Sequence, residues 1–151
     1  MDIQVRPVVA DDLPALLPLL RGYSTFYEAS PGDDELMGMA RSLLAEPDRE
    51  GQQLVAVGSA GELLGFATLL WTWDTTRAVR IAVMEDLFVR DDARGRGVGR
   101  ELLRACHGRA HERGCDSLTW ETAPDNRTAQ RLYDATGAMR DTWYAYRLPT
   151  D

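Results

Sequence analysis

The run Arg94-Gly95-Arg96-Gly97-Val98-Gly99 carries two kinds of anion chemistry at once. Glycine at alternate positions is costly in backbone entropy unless something uses the freedom, and here it lets the main chain approach a ligand closely. An apolar, strand-like stretch precedes the run and an amphipathic helical pattern follows it. Successive N–H groups at such a helix N-terminus make a seat for phosphate or pyrophosphate, with the flanking arginines adding charge. No Walker lysine follows the glycines, which argues against a nucleoside triphosphatase. A dinucleotide-binding fold would place its glycine loop after the first strand of a parallel βαβ unit, whereas antiparallel strands lead up to this one.

Glu85 and Asp86 stand in the otherwise apolar strand Ala78 to Val89. A carboxylate at Glu85 is expected to be desolvated, which raises its pKa toward that of a useful base. The plainer alternative is that Glu85 or Asp86 neutralises a cationic substrate or faces solvent. Tyr133 shares a helix face with Ala129 and Leu132, so a core tyrosine and a phenolic proton donor are both open, and Asn126 is placed to cap that helix. Phe26, Tyr27 and Glu28 could form a pocket with Glu85 and Glu121, since aromatic faces and carboxylates suit an alkylammonium group. Alternatively Tyr23, Phe26 and Tyr27 pack the first helices on the sheet. Trp71 and Trp73 fall on one strand face, where a pocket wall, a dimer surface and core packing are all open, with packing or dimer contact favoured. His107 and His111 are four apart, but no third ligand lies at motif distance, so no metal is assigned. Cys106 sits on an apolar helix stripe and Cys115 just after it, and thiol catalysis is assigned to neither.

The chain's 151 residues suffice for one domain with a hydrophobic core. With 44% apolar and 27% charged residues it reads as globular rather than disordered. A net charge of -7 argues against nucleic acid or an anionic membrane as the main partner and suits a cationic substrate. No apolar run approaches the ~18–20 residues that cross a bilayer, and the N-terminus lacks a signal pattern. Two cysteines make no disulfide framework, so a cytoplasmic address is expected. Every basic residue is arginine, which removes lysine from consideration as base or Schiff-base former.

The elements that must position these groups follow from periodicity. A strand at Ile3–Arg6 precedes a helix carrying Leu13, Leu16, Leu17, Leu19 and Leu20, bent at Pro18. The aromatic segment 22–28 follows, then a helix from Asp33 to Glu46. Strands are expected at Gln53–Val57, Leu63–Trp73 and Ala78–Val89, then a helix to about Arg113. A strand at Leu118–Thr122, a short helix after Asn126 and a last strand at Trp143–Leu148 complete the chain. The order is β-α-α-β-β-β-α-β-α-β, one α/β domain over residues 1–151 on a mixed sheet.

With this order in place, the chain resembles the GNAT superfamily of N-acetyltransferases. Arg94-x-x-Gly97-x-Gly99 is similar to the family's pyrophosphate loop, and Asn126 to Tyr133, within APDNRTAQRLYDATGA, to its second signature. Glu85-Asp86-Leu87-Phe88-Val89 and the segment Tyr23 to Glu28 resemble diamine (polyamine- and thialysine-type) acetyltransferases. The resemblance implies a mostly antiparallel sheet flanked by helices, with central strands splayed to admit acetyl-CoA. Main-chain groups of Leu87, Phe88 and Val89 would pair with the pantetheine arm. Those of Gly95, Arg96, Gly97, Val98, Gly99 and Arg100 would hold the pyrophosphate, with Arg94 or Arg96 adding a side chain. Asn126, Ala129 and Tyr133 would meet the cofactor too. Tyr133 would protonate the departing sulfur, and Glu85 would take a proton from the amine or bind it. The implied activity is direct acetyl transfer to a small primary amine, a diamine, polyamine or amino acid, by a homodimer. Alternatives are a protein or peptide N-acetyltransferase and an acyl-CoA-binding sensor without turnover.

Overall fold

Apolar-rich runs at 51–57, 63–74 and 79–89 produce three long neighbouring strands, and the rest of the sheet is built on them. The structure is a computed structural model and describes residues 2–151. Its elements run β1 (Gln4–Pro7), α1 (Leu13–Phe26), α2 (Asp33–Ala45), β2 (Gly51–Val57), β3 (Leu63–Asp74), β4 (Val79–Val89), α3 (Val98–Glu112), β5 (Leu118–Thr119) and α4 (Arg127–Asp134). Single 3-10 turns at Ala10–Asp12 and Asp91–Ala93 lead into α1 and toward α3. The strands lie in the order β1-β2-β3-β4-β5, antiparallel except for the parallel pair β4–β5. Two compact units result: one runs through Glu121 and holds the sheet and three helices, and the other spans Thr122–Asp151 and holds α4.

Strand parity divides the first unit's core into two layers. Val55, Phe66 and Phe88 are cross-strand partners on the face that receives α1 and α2. There Leu16, Leu20, Leu36 and Ala40 join Val55 and Phe66 in one buried cluster. The Tyr23 ring closes it edge-on against Phe66 and Phe88. On the opposite face α3 buries Val98, Leu102, Cys106 and Ala110. Arg113, just past its end, stacks 4.3 Å from the Trp71 ring.

Three expectations change. First, segment 22–28 does not follow α1 as a separate stretch, because the helix continues through Pro18 to Phe26. Packing of Tyr23 on the sheet carries the helix past the proline's missing hydrogen bond. Second, the strand expected at Leu118–Thr122 is only Leu118–Thr119, because β4 turns away after Val83. Third, Trp143–Leu148 is not a strand, and Trp143 and Tyr146 are exposed. Its alternation satisfies the side-chain requirement of a strand, but a strand also needs a ladder partner. Among the described residues the second unit contains no strand at all. The mixed, mostly antiparallel sheet flanked by helices is as expected, in the order β-α-α-β-β-β-α-β-α.

Candidate functional site

A one-residue irregularity in β4 sets the geometry of the site. Thr68 on β3 pairs with Asp86, but the next residue, Leu69, pairs with Met84, so Glu85 is an extra residue bulged out of the ladder. A bulge reverses the inward–outward parity of everything beyond it. Ala82 and Met84 pair with Trp71 and Leu69 and face α3, whereas Asp86 and Phe88 pair with Thr68 and Phe66 and face α1. The bend also ends contact with β5. Ala82↔Leu118 and Val83↔Thr119 join the two strands, and beyond them no strand among the described residues pairs with the outer edge of β4. Leu87, Phe88 and Val89 lie on this stretch, which pairs with β3 on one side and where the Val89 carbonyl accepts from Arg94 Nε.

Past the strand, the glycine loop takes the conformation its sequence implies. Gly95 and Gly97 have φ of 75° and 87°, a region that disfavours residues with a Cβ. Gly97 is the N-cap of the 15-residue α3, and no side chain caps that helix. Its first amides are therefore available to an anion. A Cβ placed on Gly95 or Gly97 would meet no atom within 4 Å, so the space over the loop is open and fits a phosphate group. Arg96 and Arg100 line a depression of about 360 Å³ beside Gly97, together with Asp2, Ile3 and Glu101. Arg94 is turned away from it. Its Nε donates to the Val89 carbonyl (3.0 Å), its guanidinium pairs with Asp91 (3.0 Å) and stacks 5.7 Å from the Phe88 ring. Arg96 and Arg100 therefore stand beside the loop, while Arg94 ties it to the end of β4.

The burial of the two carboxylates differs from what the sequence suggests. Glu85, on the bulge, is exposed, so the desolvation expected there is absent. Asp86 is the partly buried one. Burial pushes its carboxyl up from the usual aspartate range, and hydrogen bonds from Thr68 and Tyr23 pull it part of the way back. The Tyr23 hydroxyl also donates to the Glu85 carbonyl at 3.2 Å. Burial, then the Asp86 charge, hold the phenol above its ordinary pKa, so it remains a donor. Thr68 in turn accepts from Gln53 Nε2 at 3.1 Å. Gln53, Thr68 and Asp86 are directly aligned across β2, β3 and β4, a polar row through an apolar sheet face.

Phe26 and Tyr27 lie at the end of α1, 54% and 51% exposed. Tyr27 stacks 5.0 Å from Tyr23, so the two form a rim next to the ring that meets Asp86. Glu28 is exposed, in a left-handed turn with φ 57°. Glu121 is exposed at the end of the first unit. In the second unit Asn126 caps α4, its Oδ1 accepting from Ala129 N–H at 3.2 Å. Ala129 and Tyr133 lie on that helix, both partly buried. Tyr23, Thr68 and Gln53 were missing from the site read off the sequence. The available signal was parity: Gln53 and Thr68 are polar residues at positions that share a face with Val55 and Phe66.

A sheet opened beside a bulged central strand, followed by a glycine-rich helix N-terminus, defines the class of acyl-CoA-dependent acyltransferases. The Acetyltransferase (GNAT) family model matches residues 14–138, and the chain belongs to that family. It is 31% identical over 144 residues to an uncharacterized N-acetyltransferase, YhfO, of Bacillus subtilis, covering 95% of each chain. It is 32% identical over 119 residues to the L-methionine sulfoximine/L-methionine sulfone acetyltransferase of Pseudomonas aeruginosa, covering 76% of this chain and 67% of that one. A crystal structure of a probable acetyltransferase superposes with a TM-score of 0.85 at 25% identity, covering 100% of this chain and 99% of that one. The protein is therefore an acetyl-CoA-dependent N-acetyltransferase.

Proposed function

We propose that residues 1–151 work as one N-acetyltransferase domain whose acceptor is a small primary amine, a diamine, polyamine or amino acid. One observation carries this reading: the carboxylates Asp86 and Glu85 lie beside the aromatic end of α1, where Tyr23, Phe26 and Tyr27 gather. Carboxylate and aromatic faces together attract an ammonium group and give a long anionic acceptor nothing to pair with. The Pseudomonas relative, which acts on amino-acid analogues, supports the same substrate size.

Acetyl-CoA, when bound, supplies the activated acetyl group as its thioester. The main chain of Leu87, Phe88 and Val89 aligns the pantetheine arm along the open edge of β4, and an N–H there polarises the thioester carbonyl. The amides of Gly95 to Arg100 hold the pyrophosphate, with Arg96 and Arg100 neutralising charge. Asn126 fixes the start of α4, and Ala129 and Tyr133 contact the cofactor from that helix. The Tyr133 phenol gives its proton to the departing thiolate. Phe26, Tyr27, Glu28, Glu85 and Glu121 guide the amine in. We assign the enzyme to the cytoplasm, as a homodimer.

The test is CoA release from acetyl-CoA with spermidine, putrescine, thialysine, lysine, other amino acids and a histone-tail peptide as acceptors. Saturable turnover on one small amine is the expected result, with Tyr133→Phe lowering kcat at least tenfold at unchanged acetyl-CoA affinity. Turnover confined to the peptide would replace the small-amine reading by a protein acceptor. Tight acetyl-CoA binding without turnover on any acceptor would make the protein a sensor.

A further inference from the structure

We propose that the cavity between α2 and the strands β1 and β2 is a second binding site, which takes a small neutral ring molecule carrying one O–H or N–H donor. It shares no lining residue with the glycine loop or with the rim of Tyr23, Phe26 and Tyr27, and it goes beyond the acetylation reading.

The cavity has a volume of about 220 Å³. Ala40, Leu43 and Leu44 of α2 form one wall, and Pro7 and Val8, where the chain leaves β1, form another. Ala40 is the small residue on the buried stripe that also carries Leu36 and Leu43, so the helix reaches least far toward the sheet there. The walls are tied down. The Val8 amide donates to the Gln53 carbonyl at 2.9 Å. Trp71 Nε1 donates at 2.7 Å to the carbonyl of Pro47, which also borders the space. Closing the cavity would strain these bonds, so the space is formed before any ligand arrives.

One buried group decides the chemistry of the occupant. Gln53 is 3% exposed, lines the cavity and lies on the same face of β2 as Val55, toward the helices α1 and α2. Its Nε2 donates to Thr68 Oγ1 at 3.1 Å, which holds the amide in place. Its Oε1 is buried with no partner among the described residues. A buried acceptor in that state is costly, and a donor brought by a ligand would satisfy it. Turning the amide over only exchanges the orphan, since Oε1 would take the Thr68 proton and Nε2 would be left without an acceptor. Gln52 borders the space as well, but strand alternation directs its side chain to the α3 face.

The rest of the lining sets size and charge. An apolar cavity of about 150 Å³ admits benzene, so this one has room for a single ring with a short substituent. The leucines and prolines offer that ring an aliphatic surface. No charged side chain among the described residues lines the cavity, so an ionic ligand would be desolvated without a partner. Water is a poor occupant: it wants about three hydrogen-bond partners, and the facing side chains offer one amide.

The experiment uses three probes of nearly equal size: phenol has the ring and the donor, anisole the ring and an acceptor only, toluene the ring alone. Binding is read by calorimetry on the whole protein without acetyl-CoA, and by the rise in Tm at saturating probe. Phenol is expected to occupy one site, about fivefold tighter than anisole or toluene. Gln53→Leu removes the acceptor and is expected to bring phenol down to the level of toluene. Ala40→Leu fills the space and is expected to abolish binding of all three. Leu44→Phe, at the half-buried mouth, gives the same block if Ala40→Leu fails to fold. Equal affinity of phenol and toluene for the wild type overturns the proposal, as does tighter binding of anisole than of phenol. Phenol binding that survives both filling variants places the probe elsewhere on the molecule and overturns it too. So does the absence of saturable binding by any probe. None of these readouts involves acetyl transfer, so failure here leaves the small-amine reading standing, and failure of that reading leaves this site.

Discussion

Gly97 meets nothing where a side chain would begin, so its role lies in its φ of 87° and in what approaches from outside. Gly97→Ala is expected to lose about 1–2 kcal/mol of stability from the left-handed strain alone, as read by urea unfolding. Acetyl-CoA affinity should fall by more than tenfold, as read by calorimetry, because the added methyl occupies the anion's approach. Equal affinity in the variant would remove the loop from the binding site. This residue was legible in the sequence, since alternating glycines at a strand-to-helix junction have few other uses. Asp86 was not. Period-2 reading places residues 84, 86 and 88 on one face of β4, and a bulge is a property of the pairing of two strands rather than of either one. The sequence therefore supports an acidic pair at 85–86, and only the ladder decides which member is enclosed.

At the level of elements, the corner between β1 and α1 depends on one carboxylate. Asp12 accepts from Arg6 at 2.7 and 2.9 Å and from the Val9 amide at 2.8 Å, which holds its carboxyl below the usual aspartate value near 3.8. A depressed folded-state pKa means that its contribution is complete above the unfolded value. It is lost as pH falls through the lower folded value. Asp12→Asn should therefore lower stability at pH 7 and narrow the gap to wild type as urea midpoints are taken down toward pH 3. A gap independent of pH would show that the ion pair contributes nothing measurable. The helices were legible from the periodicity of one buried stripe, and the three long strands from apolar runs bounded by turn residues. The short β5 and the exposed Trp143–Leu148 were not, because each depends on whether a neighbouring backbone is present to pair with, and side-chain alternation is silent on that.

Over the whole molecule, the two cysteines report folding independently of any activity. Cys106 is fully buried on α3, and burial pushes its thiol up to about 12, whereas Cys115 is partly exposed just past the helix. Thiol titration with Ellman's reagent should find one reactive group in native buffer and two in denaturant. Two fast thiols in native buffer would mean that α3 opens readily from the sheet. The β-α-α-β-β-β-α order was legible at this scale because burial and turn chemistry agree along the chain.

The opened β4–β5 pair has a consequence of another kind. Beyond Val83 no further strand among the described residues pairs with the outer side of β4, and unpaired strand edges are the arrangement through which β proteins recruit one another into aggregates. Natural sheets blunt such edges with lysine, proline or a covering loop, and this chain has no lysine. The groups that must stay free for an extended ligand are the same groups that invite a foreign strand. On the proposed binding mode, acetyl-CoA lying along β4 would cover that edge, and its loss would uncover it. On that binding mode, solubility and acyl-donor supply would be tied to one strip of backbone.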